Sequence, residues 1–217
     1  MCKLLFEYGC MNSGKSMFLL AKAYNFEERG IPYRIYKSTV DTRNFGKIYS
    51  RALGERPCCT ISPEESFFEK EDWYNTDVKW LLVDEAQFLT PAQVDQLAEI
   101  VDNCGIDVIC YGLRTDFQTH LFPGSQRLFE VADTFEEMKS QCSDGHKNIF
   151  NARVDGSGRL ITQGAQVEVG AEDKYIAMSR KMYNNKVFSQ AIDSYKEVSP
   201  IELGRKFINE FKTKLDK

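Results

Sequence analysis

One short run constrains this chain more than any other: Gly9-Cys10-Met11-Asn12-Ser13-Gly14-Lys15-Ser16 meets GxxxxGK[ST] at every fixed position. In a chain of ordinary composition a chance match is about 1%. The flanks fit the same reading. Lys3–Tyr8 is an apolar run with the character of a buried strand, and Lys15–Glu28 has helical spacing, with Leu19, Ala23 and Phe26 on one face. Strand, glycine loop and helix are what a phosphate cradle requires. The loop residues Gly9, Asn12, Ser13 and Gly14 let backbone amides close around phosphate oxygens, and the helix start adds the positive end of its dipole. Lys15 is placed to reach β- and γ-phosphates, and Ser16 to hold Mg²⁺ through its hydroxyl.

The rest of the chain agrees with a nucleotide-binding α/β sheet. Tyr33–Tyr36 is a second strand, and Trp80-Leu81-Leu82-Val83 a third that ends in Asp84 and Glu85. Pro91 suits the first position of a helix whose Val94, Leu97, Ile100 and Val101 share a face, and Asp107–Leu113 is a fourth strand. Strands alternating with helices predict a P-loop NTPase-type, mostly parallel sheet flanked by helices. The Trp80 strand is expected beside the first, so that Asp84 faces Mg²⁺ and its waters while Glu85 points toward a water or a substrate hydroxyl. Beyond Glu137 the pattern shortens to Asn151–Val154, Leu160–Thr162 and Gln166–Val169, separated by turn clusters, which predicts a small antiparallel lobe. From Pro200 the apolar residues Ile201, Leu203, Phe207, Ile208, Phe211 and Leu215 fall mostly on one side of a charged helix. The expected division is therefore 1–136 for the P-loop domain, 137–183 for the small lobe and 184–217 for a helical tail.

Composition narrows the partners. Lys plus Arg is 28 and Asp plus Glu is 32, a net charge of −4, which argues against a dedicated binder of nucleic acid or of anionic membranes. No stretch reaches the ~20 apolar residues of a membrane span, and the N-terminus has no secretory-signal pattern, so a soluble cytoplasmic protein is expected. Seven cysteines, an odd number, then read as reduced thiols or in part as metal ligands. Cys10, inside the phosphate loop, is a position where an oxidant could block nucleotide binding.

Several blocks together resemble the cytosolic-type (type II) thymidine kinase family, in its bacterial form. They are Met11 in the loop, Asp41-Thr42-Arg43, Ser50-Arg51 with Gly54, Asp84-Glu85-Ala86-Gln87-Phe88, Gly112-Leu113-Arg114-Thr115-Asp116-Phe117 and Val169-Gly170-Ala171-Glu172-Asp173-Lys174-Tyr175. The resemblance runs from Lys3 to Tyr183. It implies transfer of the ATP γ-phosphoryl group to the 5′-hydroxyl of thymidine, in pyrimidine salvage for DNA precursor synthesis. Glu85 is then the general base. Gln87, Arg43 and Arg51 join the loop residues and Asp84 around the nucleotide. Met11, Phe88, Leu113, Phe117 and Phe122 form an apolar and aromatic wall around the base. Val167, Val169, Gly170 and Ala171 belong to a lasso loop whose backbone bonds the base edge, and Tyr175 bonds the sugar 3′-hydroxyl. Ala171 stands where the family has a second glycine. A homotetramer and feedback inhibition by thymidine triphosphate are further family implications.

The family also carries a structural zinc, and here the sequence departs from it. The first ligand pair maps to Cys142 and Asp144, the second to Ser179 and Met182. One thiol of four ligands remains, and His146 nearby does not make up the set, so no structural zinc is expected. Three other functions stay open. One is a kinase for another nucleoside, such as deoxyuridine or deoxycytidine. Another is a nucleotide-driven motor or switch, against which stand the chain's length and the lack of an NKxD signature. The third is a nucleoside-binding protein without catalysis, against which stand Lys15, Ser16, Asp84 and Glu85.

Overall fold

The computed structural model describes residues 2–164, 166 and 175–196. In chain order its elements are β1 (Leu4–Tyr8), α1 (Lys15–Glu28), β2 (Tyr33–Ser38), β3 (Lys47–Ser50), β4 (Gly54–Pro57), β5 (Cys59–Ile61), α2 (Phe67–Lys70), β6 (Trp80–Asp84), α3 (Pro91–Cys104), β7 (Asp107–Gly112), α4 (Pro123–Val131), β8 (Thr134–Glu137), β9 (Phe150–Arg153), β10 (Tyr175–Met178) and α5 (Arg180–Lys196). Six strands form one sheet in the order β5-β2-β6-β7-β1-β8, and every pairing in it is parallel.

A parallel sheet covered by helices must be apolar on both faces. Successive residues of the central strands accordingly serve opposite cores. Leu4, Phe6, Leu81, Val83, Val108 and Cys110 pack with Val94, Leu97 and Ile100 of α3. Leu82, Ile109 and Tyr111 pack with Leu19, Leu20, Ala23 and Phe26 of α1. The stripe expected on each helix is the stripe that is buried. At the start of α3, Thr90 and Gln93 form a reciprocal capping box with Pro91 at the first position, as the sequence predicts for the proline.

The strand order corrects one expectation. The Trp80–Asp84 strand does not lie beside β1, because β7 stands between them, pairing Leu4 with Val108 on one side and Leu81 with Val108 on the other. Both β6 and β7 are buried on each face and both need two neighbours. A run of apolar residues shows that a strand is central and not which strand sits next to it.

The small lobe is antiparallel, as expected: β9 pairs with β10, and isolated bridges join Gln141 to Lys147 and Val154 to Leu160. Its core is Ala152, Val154, Leu160 and Met178, with Met182 and Tyr183 of α5 against it. The expected strand at Leu160–Thr162 is reduced to that single bridge, because Asp155 ties off a tight turn by accepting from the Ser157 and Arg159 amides. Gln166 lies in a bend, and the remainder of the expected Gln166–Val169 segment is outside the described residues. So is the helix expected from Pro200. Among the described residues no helix is long and apolar enough to cross a membrane.

Candidate active site

The carboxyl ends of β1, β2, β6 and β7 converge on one cleft of about 800 Å³. This is the edge at which parallel α/β sheets bind ligands, because loops leaving adjacent strands in opposite directions open a crevice there. At its floor lies the glycine loop. Gly14 adopts the left-handed conformation, φ 91°, and no side chain caps α1 behind it, so the first amides of that helix are open to a ligand. Asn12 is also left-handed, φ 61°, and alternation of this kind curls backbone N–H groups into an anion-binding concavity. Ser13 Oγ is buried with no hydrogen-bond partner. Lys15 is buried and folds back on the loop, donating to the carbonyls of Gly9 at 3.2 Å and Cys10 at 2.8 Å. Burial pulls its ammonium below the usual lysine range, against the opposing pull of Glu85 and Asp84. A buried cation resting on carbonyls, beside an orphaned hydroxyl and uncapped amides, is a cradle suited to phosphate.

Two acids line the cleft with that lysine. Asp84, buried at the end of β6, accepts from Ser16 Oγ at 3.0 Å and from the Glu85 amide at 3.0 Å. Burial, with the charge of Glu85 next to it, pushes the Asp84 carboxyl above the usual range. A hydroxyl paired with a buried carboxylate offers hard oxygen donors, the chemistry that suits Mg²⁺ beside a phosphate. Glu85 has φ 53°, so the chain turns left-handed immediately after the strand and swings this second carboxylate away from the first. Gln87 Nε2 donates to Glu85 Oε2, and Arg43 Nη2 donates to Oε1 at 2.9 Å. Gln87 Oε1 in turn accepts from the Leu113 amide at 2.9 Å. The side chain assigned to the nucleotide thus also braces the proposed base and the start of the far wall.

That wall is apolar and aromatic. Phe88 and Phe122 meet edge to face, 5.7 Å between centroids. Phe117 is buried with the Arg153 guanidinium 5.5 Å above its ring. Met11, Leu113 and Tyr175 line the same cleft, as do Arg43 and the exposed Arg51. Burial raises the Tyr175 phenol. Val167, Val169, Gly170 and Ala171, the lasso positions, lie outside the described residues.

Four participants have no assigned role in the sequence reading of the site, although Asp41 and Asp116 stand in the family blocks and Asn151 falls near a variable pocket position of the family. Lys37 and Asp41 line the cleft as a buried ion pair of 2.9 Å, and the signal available was a lysine at a strand end with an aspartate four residues on. Asn151 fastens the loop by accepting from the Met11 amide at 2.8 Å. Asp116 is buried, accepting from the Gln118 and His120 amides and from Gln166 Nε2 at 2.9 Å. The Asn151–Met11 and Asp116–Gln166 bonds join segments distant in sequence, which spacing does not reveal.

In the small lobe, the four positions Cys142, Asp144, Ser179 and Met182 do come together. Asp144 accepts from Ser179 Oγ at 2.6 Å, and the Cys142 and Met182 sulfurs are 3.5 Å apart. Among the described residues no group of three or more His, Cys, Asp and Glu could hold a metal ion. All seven cysteines are unpaired. Cys10 is not the accessible thiol that its loop position suggested: it is buried, and burial raises its thiol above the usual range.

Phosphate cradle, paired acids and an aromatic wall facing them across one cleft place the chain among the P-loop phosphotransferases. The family model for thymidine kinase matches residues 2–183, and the chain belongs to that family. It is 42% identical over 197 residues to a thymidine kinase of Pasteurella multocida, covering 86% of this chain and 99% of that one. A Haemophilus influenzae thymidine kinase is 41% identical over 189 residues, covering 86% and 98%. One from Legionella pneumophila is 42% identical over 187 residues, covering 84% and 90%.

Proposed function

We propose that this chain transfers the γ-phosphoryl group of ATP to the 5′-hydroxyl of thymidine, with Glu85 as the general base. The observation that carries the assignment is the Glu85 carboxylate itself. It lines the same cleft as the phosphate cradle and the aromatic wall, with Arg43 on one oxygen and Gln87 on the other. MgATP supplies the activated phosphoryl group and neutralises charge on it. Ser16 and Asp84 would hold the metal, and Lys15 and the loop amides would bind the phosphates. Lys15 exchanges carbonyl oxygens for phosphate oxygens, and ligand charge offsets the burial that weakens its charged form. Glu85 accepts the hydroxyl proton as the sugar oxygen attacks in line. Met11, Phe88, Leu113, Phe117 and Phe122 exclude water from the base and offer it apolar contact, and Tyr175 would position the sugar.

The name shared by these relatives supports thymidine over other nucleosides, and a comparison of kcat/KM for thymidine, deoxyuridine and deoxycytidine tests that choice. In the small lobe the Asp144–Ser179 hydrogen bond and the Cys142–Met182 contact stand where metal ligands would, which supports a lobe that folds without zinc. Assembly as a homotetramer, inhibition by thymidine triphosphate and a cytoplasmic location follow the family pattern. The decisive assay is thymidine with ATP and Mg²⁺, wild type beside Glu85→Gln. Wild type yields thymidine monophosphate, and the variant loses roughly 10²–10⁴-fold in kcat. A variant that keeps full kcat removes Glu85 from the role of base.

A further inference from the structure

Lys37 has no part in the mechanism above, yet it is buried at the cleft end of β2. Its Nζ makes two contacts. One is the Asp41 carboxylate, 2.9 Å away, with both side chains only 5% exposed. The other is the main-chain carbonyl of Arg43. Asp41 passes the connection on. Its Oδ1 accepts from Arg43 Nε at 2.6 Å and from the Arg43 amide at 3.1 Å, and its Oδ2 accepts from Arg43 Nη2 at 3.1 Å. The same Nη2 reaches Glu85 Oε1 at 2.9 Å. Lys37 therefore holds Arg43 at both ends, its carbonyl directly and its guanidinium through Asp41.

The chemistry of burial says why this arrangement calls for a purpose. Desolvating a lysine and an aspartate offsets much of what their attraction returns, and apolar residues that replace a buried ion pair often leave stability unchanged or higher. What an apolar pair lacks is direction. A guanidinium gripped through both Nε and Nη2 has little freedom to rotate, and the carboxylate it touches inherits that orientation. The segment 39–46 that carries Arg43 is otherwise a run of turns between β2 and β3, with Asn44 and Gly46 left-handed. Lys37 adds a side-chain anchor from β2 to that run, beside the Ser38 bonds to the Val40 and Asp41 amides.

We propose that Lys37 is a positioning residue for phosphoryl transfer: it braces Asp41 and the Arg43 carbonyl so that the Arg43 guanidinium sets the Glu85 carboxylate for the substrate hydroxyl. This rests on the reading of Glu85 as the base. The distinction from a merely structural lysine lies in where the effect travels. If Lys37 works through Arg43, its removal lowers kcat, leaves the nucleoside site intact, and has no further effect once Arg43 is gone.

A double-mutant cycle in the thymidine, ATP and Mg²⁺ assay reads this directly, using wild type, Lys37→Met, Arg43→Gln and the double variant, with Glu85→Gln beside them. Lys37→Met is expected to lose ~10–100-fold in kcat, as displaced catalytic groups do, with KM for thymidine within about 3-fold. The double variant is expected to be no slower than Arg43→Gln. Losses that multiply, or a Lys37→Met variant with wild-type kcat, overturn the proposal. Should Lys37→Met fail to fold by its melting curve, Lys37→Gln, which keeps a donor, enters the same cycle under the same two criteria. Glu85→Gln separates the readings: full activity in that variant refutes Glu85 as base, while the coupling between Lys37 and Arg43 is decided by the cycle alone.

Discussion

At the scale of single residues, the phosphate loop is the part of the molecule most legible in sequence, because its conformation restricts which residues are tolerated. Gly9 shows the limit by close approach. A Cβ there would stand 2.5 Å from Ser13 Oγ and 2.6 Å from the Met138 carbonyl oxygen. The serine could turn aside, but the carbonyl is main chain, fixed by the bond between the Met138 amide and the Tyr8 carbonyl. Gly9→Ala is therefore expected to cost about 1–3 kcal/mol, the range of small overpacking changes, and to weaken nucleotide binding with it. Denaturant unfolding measures the first and ATP titration the second. An unchanged midpoint would mean that the loop has slack. Lys37 was illegible for the opposite reason. Nothing in its own identity marks it, and its proposed role arises from Asp41 and Arg43 downstream and Glu85 just beyond the end of β6.

At the scale of elements, legibility followed hydrophobic period. The helices Lys15–Glu28 and Pro91–Cys104 and the four central strands stand out because one face, or both, must be apolar. The β3–β4 hairpin does not. Ile48 is its buried residue, the other positions are exposed or half-buried, and a Lys47–Glu55 ion pair spans its strands. Edge strand β8 is mostly exposed and gave no pattern either. The start of α5 depends on one hydroxyl. Ser179 Oγ accepts from the Met182 amide at 3.1 Å, capping the helix, and donates to Asp144 at 2.6 Å, tying the helix to the turn before β9. Ser179→Ala removes both bonds from a buried position. Loss of the cap alone is expected to cost about 1–2 kcal/mol, read as a lower melting temperature, with kcat for thymidine at 25 °C within ~2-fold of wild type. A melting temperature equal to wild type would show that the lobe is held by its apolar core alone.

At the scale of the whole molecule, an acidic chain performs phosphate chemistry because its cleft sets cations against acids at close range. The net charge is −4, while Lys15, Lys37, Arg43 and Arg51 line the cleft together with Asp41, Asp84, Glu85 and Asp116. That pairing has a consequence for stability against acid. Burial alone would raise the Asp41 carboxyl, but hydrogen bonds from Arg43 and Lys37 outweigh it and hold the group below its usual range. A carboxylate lowered in the folded chain contributes stability at every pH above its unfolded value, ~3.9, and loses that contribution as pH falls through the lowered folded value. Glu7 and Asp84, raised by burial, act in the other direction: their contribution is greatest in acid and declines as pH rises through their folded values. The pH dependence of the molecule is the sum of the two, so a single melting profile does not isolate Asp41, whereas its difference from a variant does. Asp41→Asn keeps the shape and removes the charge. The variant is expected to melt below wild type at pH 7, and the gap is expected to shrink between pH 5 and pH 3, where the unfolded wild-type chain takes up the Asp41 proton before the folded chain does. Parallel melting curves of the two proteins across that range, without nucleotide or metal, make the comparison. A gap at pH 3 as wide as at pH 7 would mean that Asp41 is held by shape and hydrogen bonding and that its charge contributes nothing to the brace.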